Sequence, residues 1–118
     1  MTTLVLGASL NPERYSNRAI KLLRRYRHEV IAVGLDEGKV DGVEIVHDLP
    51  KDEKIDTVTV YLNPERQKAY YERILKAKPR RIIFNPGAEN AELESLAEQN
   101  GIMTEEACTL VMLNAGQY

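Results

Sequence analysis

Apolar positions along the chain follow two rhythms. Short runs, Leu4-Val5-Leu6, Val30 to Val33, Thr57 to Leu62 and Ile82-Ile83-Phe84, alternate with stretches in which apolar residues recur every three or four positions. The runs predict buried parallel strands, and the spaced stretches predict helices with one inward face. The first strand is Leu4-Val5-Leu6, bounded by Gly7. The second is Glu29 to Val33, ending at Gly34. Thr57 to Leu62 is β-branched and apolar, which predicts a central strand. Arg81 to Phe84 is the next one. Val43-Glu44-Ile45-Val46 alternates and predicts a short strand near a sheet edge, and Ile102-Met103 a last short strand.

The helices fall between these runs. From Asn17 to Arg27, residues Ala19, Ile20, Leu22, Leu23 and Tyr26 share one face, and Arg18, Lys21, Arg24, Arg25 and Arg27 occupy the remainder. Asn63-Pro64 supplies an N-cap with proline at the first helical position. That helix runs to Ala77, burying Tyr70 or Tyr71, Ile74 and Leu75, until Pro79 stops it. Asn90 opens a third helix with Leu93, Leu96 and Ala97 inward and Asn100-Gly101 as its stop. Glu105 to Leu113 predicts a final helix. Asn11 to Tyr15 reads as a loop or a single turn, and Asp36 to Gly42 as a polar loop. Strands and helices alternate with short connections, which predicts an α/β fold. The expected form is a Rossmann-like three-layer sandwich with a mostly parallel five- or six-stranded sheet and right-handed crossovers. Residues 1–118 read as a single domain.

Composition narrows the function classes. A chain of 118 residues suits one core. Formal net charge is -2, so no global field draws nucleic acid. The basic residues Lys21, Arg24, Arg25 and Arg27 lack interleaved aromatics and read as a solvated helix face. One cysteine excludes an internal disulfide and fits a reducing compartment. Met1-Thr2-Thr3 lacks the character of a cleavable leader, and no apolar run approaches a membrane span. These features predict a cytoplasmic protein with no membrane partner.

Candidate chemistry gathers at the strand ends, because open α/β sheets bind ligands beyond the carboxyl ends of their strands. Gly7-Ala8-Ser9 forms a tight turn where glycine lets a ligand approach the backbone. Ser16-Asn17 follows at a helix start, where hydroxyls and unpaired N–H groups favour an anion. A tight turn alone explains Gly7, but not the second hydroxyl at Ser16. The set points to a nucleotide or a nucleotide-bearing cofactor. Val33-Gly34-Leu35, Tyr61-Leu62-Asn63 and Asn85-Pro86-Gly87 stand at corresponding strand ends. Asp36 reads as a turn residue, or as a ribose acceptor of the kind found in dinucleotide-binding sheets. Gly7-Ala8-Ser9-Leu10-Asn11-Pro12 keeps only the first glycine of the Gly-x-Gly-x-x-Gly fingerprint, which weighs against NAD. No catalytic set is legible: His28 and His47 have no metal partner at ligand spacing, and no Gly-x-Ser-x-Gly elbow occurs. His28 follows a helix end, which favours an imidazolium. Cys108, beside Ala107, Leu110 and Val111, reads as a buried inert thiol.

In Gly7-Ala8-Ser9, Ser16, Gly42, Asp48-Leu49-Pro50, Asn85 to Asn90, Gly101-Ile102 and Cys108, the chain resembles the small stand-alone coenzyme A-binding proteins. Their domain is related to the N-terminal domain of the succinyl-CoA synthetase alpha subunit. The resemblance covers nearly the whole chain, and Pro86-Gly87-x-Glu89-Asn90 is its most specific stretch. The family commonly has Pro-Val-Asn-Pro after the second strand, beside the adenosine end of the cofactor. Here that stretch is Ala32-Val33-Gly34-Leu35. The resemblance implies a binding module for coenzyme A or an acyl-CoA, without chemistry of its own. It places the diphosphate over Gly7, Ala8, Ser9 and the Ser16-Asn17 helix start. The adenosine end would lie near Val33, Gly34 and Lys39. Lys39 resembles the position where the synthetase places a lysine near that end of the cofactor, and reads either as a solvated loop lysine or as a contact to the 3′-phosphate. The pantetheine arm would pass Tyr61, Leu62 and Asn63 toward Asn85, Pro86 and Gly87. Two other readings stand beside it: a small NAD(P)-binding oxidoreductase-like protein, and a decayed pocket that serves a protein partner. The sequence is compatible with a homodimer.

Overall fold

The apolar runs form the middle of one seven-stranded sheet in the computed structural model, which describes residues 1–118. Its strands are β1 (Thr2–Ala8), β2 (Glu29–Gly34), β3 (Lys39–Val40), β4 (Val43–Val46), β5 (Thr57–Val60), β6 (Arg81–Phe84) and β7 (Met103–Glu106). The helices are α1 (Tyr15–Arg25), α2 (Pro64–Gln67), α3 (Tyr71–Ala77), α4 (Ala91–Gln99) and α5 (Thr109–Asn114). Spatial order is β3-β4-β2-β1-β5-β6-β7. Every ladder is parallel except β3–β4. This is the α/β Rossmann-like fold that the alternation of strands and helices implies.

The sheet winds both ways from β1. The chain moves outward through β2 and β4, then returns to pair β5 against β1, with Thr3 opposite Thr57 and Leu6 opposite Val60. Strand order therefore reverses beside β1, and a crevice opens past the carboxyl ends there. Strand periodicity divides the core between two faces. Leu4 and Leu6 pack with Phe84, Ile74 of α3 and Leu93 of α4. Val5 and Ala8 pack on the opposite face with Ile20 and Leu23 of α1 and Leu113 of α5.

The seventh strand lies where the sequence reads as loop. Lys39–Val40 pairs antiparallel with β4, Val40 opposite Val43. The two residues between them, Asp41 and Gly42, both have positive φ, 49° and 80°. A two-residue hairpin turn of the primed type requires this, and Asp-Gly is a favoured pair for it.

Other elements also differ from expectation. The helix after Asn63 is interrupted by a 3₁₀ turn at Lys68–Tyr70, and only Ile74 of its expected inward residues is fully buried. Gln67, fully buried, anchors the first piece by donating its amide to the carbonyls of Leu62 and Ala88, each at 2.8 Å. Leu96 is half-buried. The expected final helix is shorter, because Met103–Glu106 pairs in parallel with β6 as an edge strand. An edge strand tolerates Glu105 and Glu106, since its free side meets water.

Candidate functional site

At the end of β1, Gly7 has a φ of 101°, and a Cβ there would lie 3.2 Å from the backbone nitrogen of Leu62. Glycine is thus needed for both conformation and space. The ends of β1 and β2 are pressed equally close. A Cβ on Gly34 would lie 2.3 Å from the carbonyl oxygen of Ala8. On the other side, Tyr61 N–H donates to the Leu6 carbonyl at 2.9 Å and extends the β1–β5 contact beyond the ladder.

Past the glycine turn, Ser9 Oγ accepts from Asn11 N–H at 3.1 Å. Asn17, buried on α1, donates Nδ2 to the Ser9 carbonyl at 2.9 Å, and its carboxamide oxygen has no partner. The N-terminus of α1 has no side-chain cap and no carboxylate in its first turn. Asn17 N–H turns back to the Arg14 carbonyl at 3.1 Å, and the N–H groups ahead of it carry the partial positive charge of a helix start. Asn63 caps α2 by accepting from Arg66 N–H at 2.9 Å.

A cleft of about 860 Å³ opens over these strand ends, within the usual size of a small-molecule site. Gly7, Ala8, Ser9 and Ser16 line it from β1 and α1, and Val33 and Gly34 from β2. Tyr61, Leu62 and Asn63 line it from beyond β5, and Pro86 and Gly87 from beyond β6. Three sequence candidates fall outside the lining. Asn17 sits behind the Ser9 carbonyl. Lys39 is an exposed residue of β3. Asn85 is buried, with Nδ2 donating to Thr59 Oγ1 at 2.7 Å and to the Val60 carbonyl at 2.9 Å. Its Oδ1 accepts from Thr109 N–H at 2.9 Å. Asn85 therefore ties β5, β6 and the start of α5 together.

The sequence reading missed Arg14, Tyr15, Glu65, Arg66, Ala69 and Tyr70 as lining residues, and Leu35 and Asp36, read as a strand-end residue and as a turn residue or ribose acceptor, also line the cleft. Arg14 and Arg66 leave a sequence signal, a cation beside a helix start. Asp36 turns back over the glycine turn. Its Oδ2 accepts from Leu10 N–H at 2.9 Å and lies 3.4 Å from Ser9 Oγ. Burial pushes the Tyr61 phenol up to about 12, and its hydroxyl, sealed from water near Thr59 and Thr109, makes no well-formed hydrogen bond. Tyr61 thus stays protonated at neutral pH.

A second hollow, about 900 Å³, lies on α1 and α5 among Arg18, Lys21, Arg24 and Arg25, with Asp41 of the β3–β4 turn beside them. No group of three or more His, Cys, Asp or Glu side chains is placed to hold a metal ion. Cys108 is half-buried, at the residue before α5. His28 departs from the helix-end expectation. Burial lowers its pKa, and the positive charges of the amino terminus and Arg81 lower it further.

The CoA binding domain family matches residues 1–114. No curated protein matches the sequence. Among solved structures, the crystal structure of an uncharacterized protein superposes with a TM-score of 0.95 at 47% identity, covering 99% of this chain and 97% of that one. Cell-free ID.343 from Thermus thermophilus superposes with a TM-score of 0.88 at 23% identity, over 99% and 90% of the two chains. A dinucleotide-forming acetyl-coenzyme A synthetase 1 from Ca. Korarchaeum cryptofilum, in complex with phosphate and ADP, gives 0.73 at 17% identity. There the match covers 90% of this chain and 25% of the synthetase. The last two likenesses establish a shared fold. No helix is long and apolar enough to cross a membrane. Matched over nearly its full length, the chain belongs to the CoA-binding domain family.

Proposed function

We propose that this chain holds coenzyme A or an acyl-CoA in the strand-end cleft and performs no chemistry of its own. The observation that carries this reading is the glycine turn of β1 opening onto an uncapped α1 N-terminus, with Arg14 and Arg66 lining the same cleft. Backbone N–H groups and guanidinium forks together suit a diphosphate. The diphosphate would rest on Gly7, Ala8, Ser9 and the start of α1. The adenosine would turn toward Val33 and Gly34, where Leu35, 76% exposed, offers an apolar surface to the base. The pantetheine arm would run past Tyr61, Leu62 and Asn63 toward Pro86 and Gly87.

Thermal unfolding tests the reading. A ligand that binds only the folded state raises its stability. Coenzyme A or its dephospho form is expected to raise Tm at millimolar concentration, and NAD is not. No shift with either form of the coenzyme, or a larger shift with NAD, overturns the proposal.

A further inference from the structure

Asp36 and Glu65 are the acidic residues of the lining; Glu65 pairs with Lys68 at 3.1 Å, which leaves Asp36 as the one that a phosphate-binding role does not explain. It stands two residues beyond Gly34, where β2 leaves the sheet. The contact between Gly34 and the Ala8 carbonyl holds the two strand ends together, so the loop after β2 lies directly beside the loop after β1. Asp36 Oδ2 bridges that junction through Leu10 N–H and Ser9 Oγ. Both contacts fall on the same oxygen, which leaves Oδ1 for an external donor. No ion pair neutralises the carboxylate. Lys39, three residues further on, lies outside the cleft lining. The β2 end of the site is therefore a hydrogen-bond acceptor with a full negative charge.

Two kinds of ribose meet such a group differently. An unsubstituted diol donates O–H groups to a carboxylate, and a charge-assisted hydrogen bond of this kind is among the stronger ones. A ribose 3′-phosphate removes one of the two hydroxyl donors and brings further negative charge. We propose that, between the two forms of the coenzyme, Asp36 favours the one with a free ribose diol, so that dephospho-CoA binds in preference to coenzyme A. This inference rests on the coenzyme A reading above and adds the identity of the group at the ribose.

Titration calorimetry with dephospho-CoA, coenzyme A and NAD, on wild type and Asp36→Asn, tests it. In wild type at low salt, dephospho-CoA is expected to bind roughly fivefold tighter than coenzyme A, the size of an exposed charge effect joined to a lost hydrogen bond. The ratio should shrink as salt rises, because screening acts on exposed charges. Asp36→Asn removes the charge at nearly constant shape and should bring the ratio close to one. Equal or tighter wild-type binding of coenzyme A overturns the inference and leaves the coenzyme A reading standing. Binding of NAD alone, or of no ligand, overturns the coenzyme A reading itself. The wild-type comparison decides even where the variant fails to fold.

Discussion

At the scale of single residues, the cleft depends on positions that fix the course of the backbone. Gly7 is the clearest case. Its positive φ and its approach to Leu62 leave no room for a branched side chain. Gly7→Val is expected to weaken ligand binding more than core substitutions of equal destabilisation do. Calorimetry on variants matched by urea unfolding checks this, and unchanged affinity in a folded variant would move the site elsewhere. Asn85 acts differently. Its amide satisfies Thr59, Val60 and Thr109 inside the protein, so Asn85→Ala should cost about 2–4 kcal/mol by leaving buried groups unpaired. Urea unfolding reads that loss, and a cost below about 1 kcal/mol would contradict the role. Gly7 and the Asn63 cap were legible in sequence because their causes are local: a tight turn, and a side chain that reaches its own helix. The bridge from Asp36 to Leu10 was not legible. It joins residues 26 positions apart, and only the packing of β2 on β1 brings them together.

Elements repeat this division between local and long-range causes. The runs that became β1, β2, β5 and β6 were readable because burial on both faces demands uninterrupted apolar sequence. β7 was not, since an edge strand with one free side can carry Met103-Thr104-Glu105-Glu106, a sequence with no strand-like alternation of buried residues. The interrupted helix after Asn63 also escaped the reading, because the contacts that fix Gln67 come from Ala88 and Asn90, more than twenty residues away. The β3–β4 hairpin is the opposite case. Its Asp41-Gly42 signal was present, but Lys39–Val40 is too short to show a strand period. The turn makes a prediction at this scale. Gly42 has a φ of 80° and open space around its α-carbon, so Gly42→Ala meets conformational strain alone. A loss of about 1 kcal/mol is expected in urea unfolding. Gly42→Asn should lose less, because asparagine tolerates the left-handed region. Equal losses for the two variants would contradict a primed turn.

Across the whole molecule, the two ends of the sheet divide the work. The carboxyl ends gather open N–H groups, Arg14, Arg66 and the Asp36 carboxylate around the cleft, whereas Asp56 and Arg80 at the amino ends are paired with each other. Asp56, just before β5, takes a two-pronged contact from Arg80, with Nε at 3.0 Å from Oδ1 and Nη2 at 3.1 Å from Oδ2. Thr57 Oγ1 donates to it at 2.8 Å. Hydrogen bonding from Arg80 is the main reason its pKa falls below the ordinary value. His28, just before β2, packs edge-on against Tyr118 at 5.0 Å and also has a lowered pKa, first through burial. Both folded values lie below their unfolded ones, so both groups contribute stability at neutral pH and lose it as acid is added. The His28 contribution is complete above about pH 6.5 and fades as the pH falls through its lower folded value. That of Asp56 is complete above about pH 3.9 and disappears as the pH falls through a lower value still. His28→Gln should flatten the upper window. Asp56→Asn should cost about 1 kcal/mol at pH 7, as a partly exposed pair does, and its deficit should vanish once wild-type Asp56 is protonated. Urea midpoints measured from pH 8 to pH 3 read both effects, and a deficit that persists at the acid limit would mean that Asp56 acts through shape rather than charge. Because Asp56 lies at the opposite strand ends from the cleft, Asp56→Asn should also leave ligand affinity at pH 7 within about twofold of wild type. A larger change would show that the two ends of the sheet are coupled.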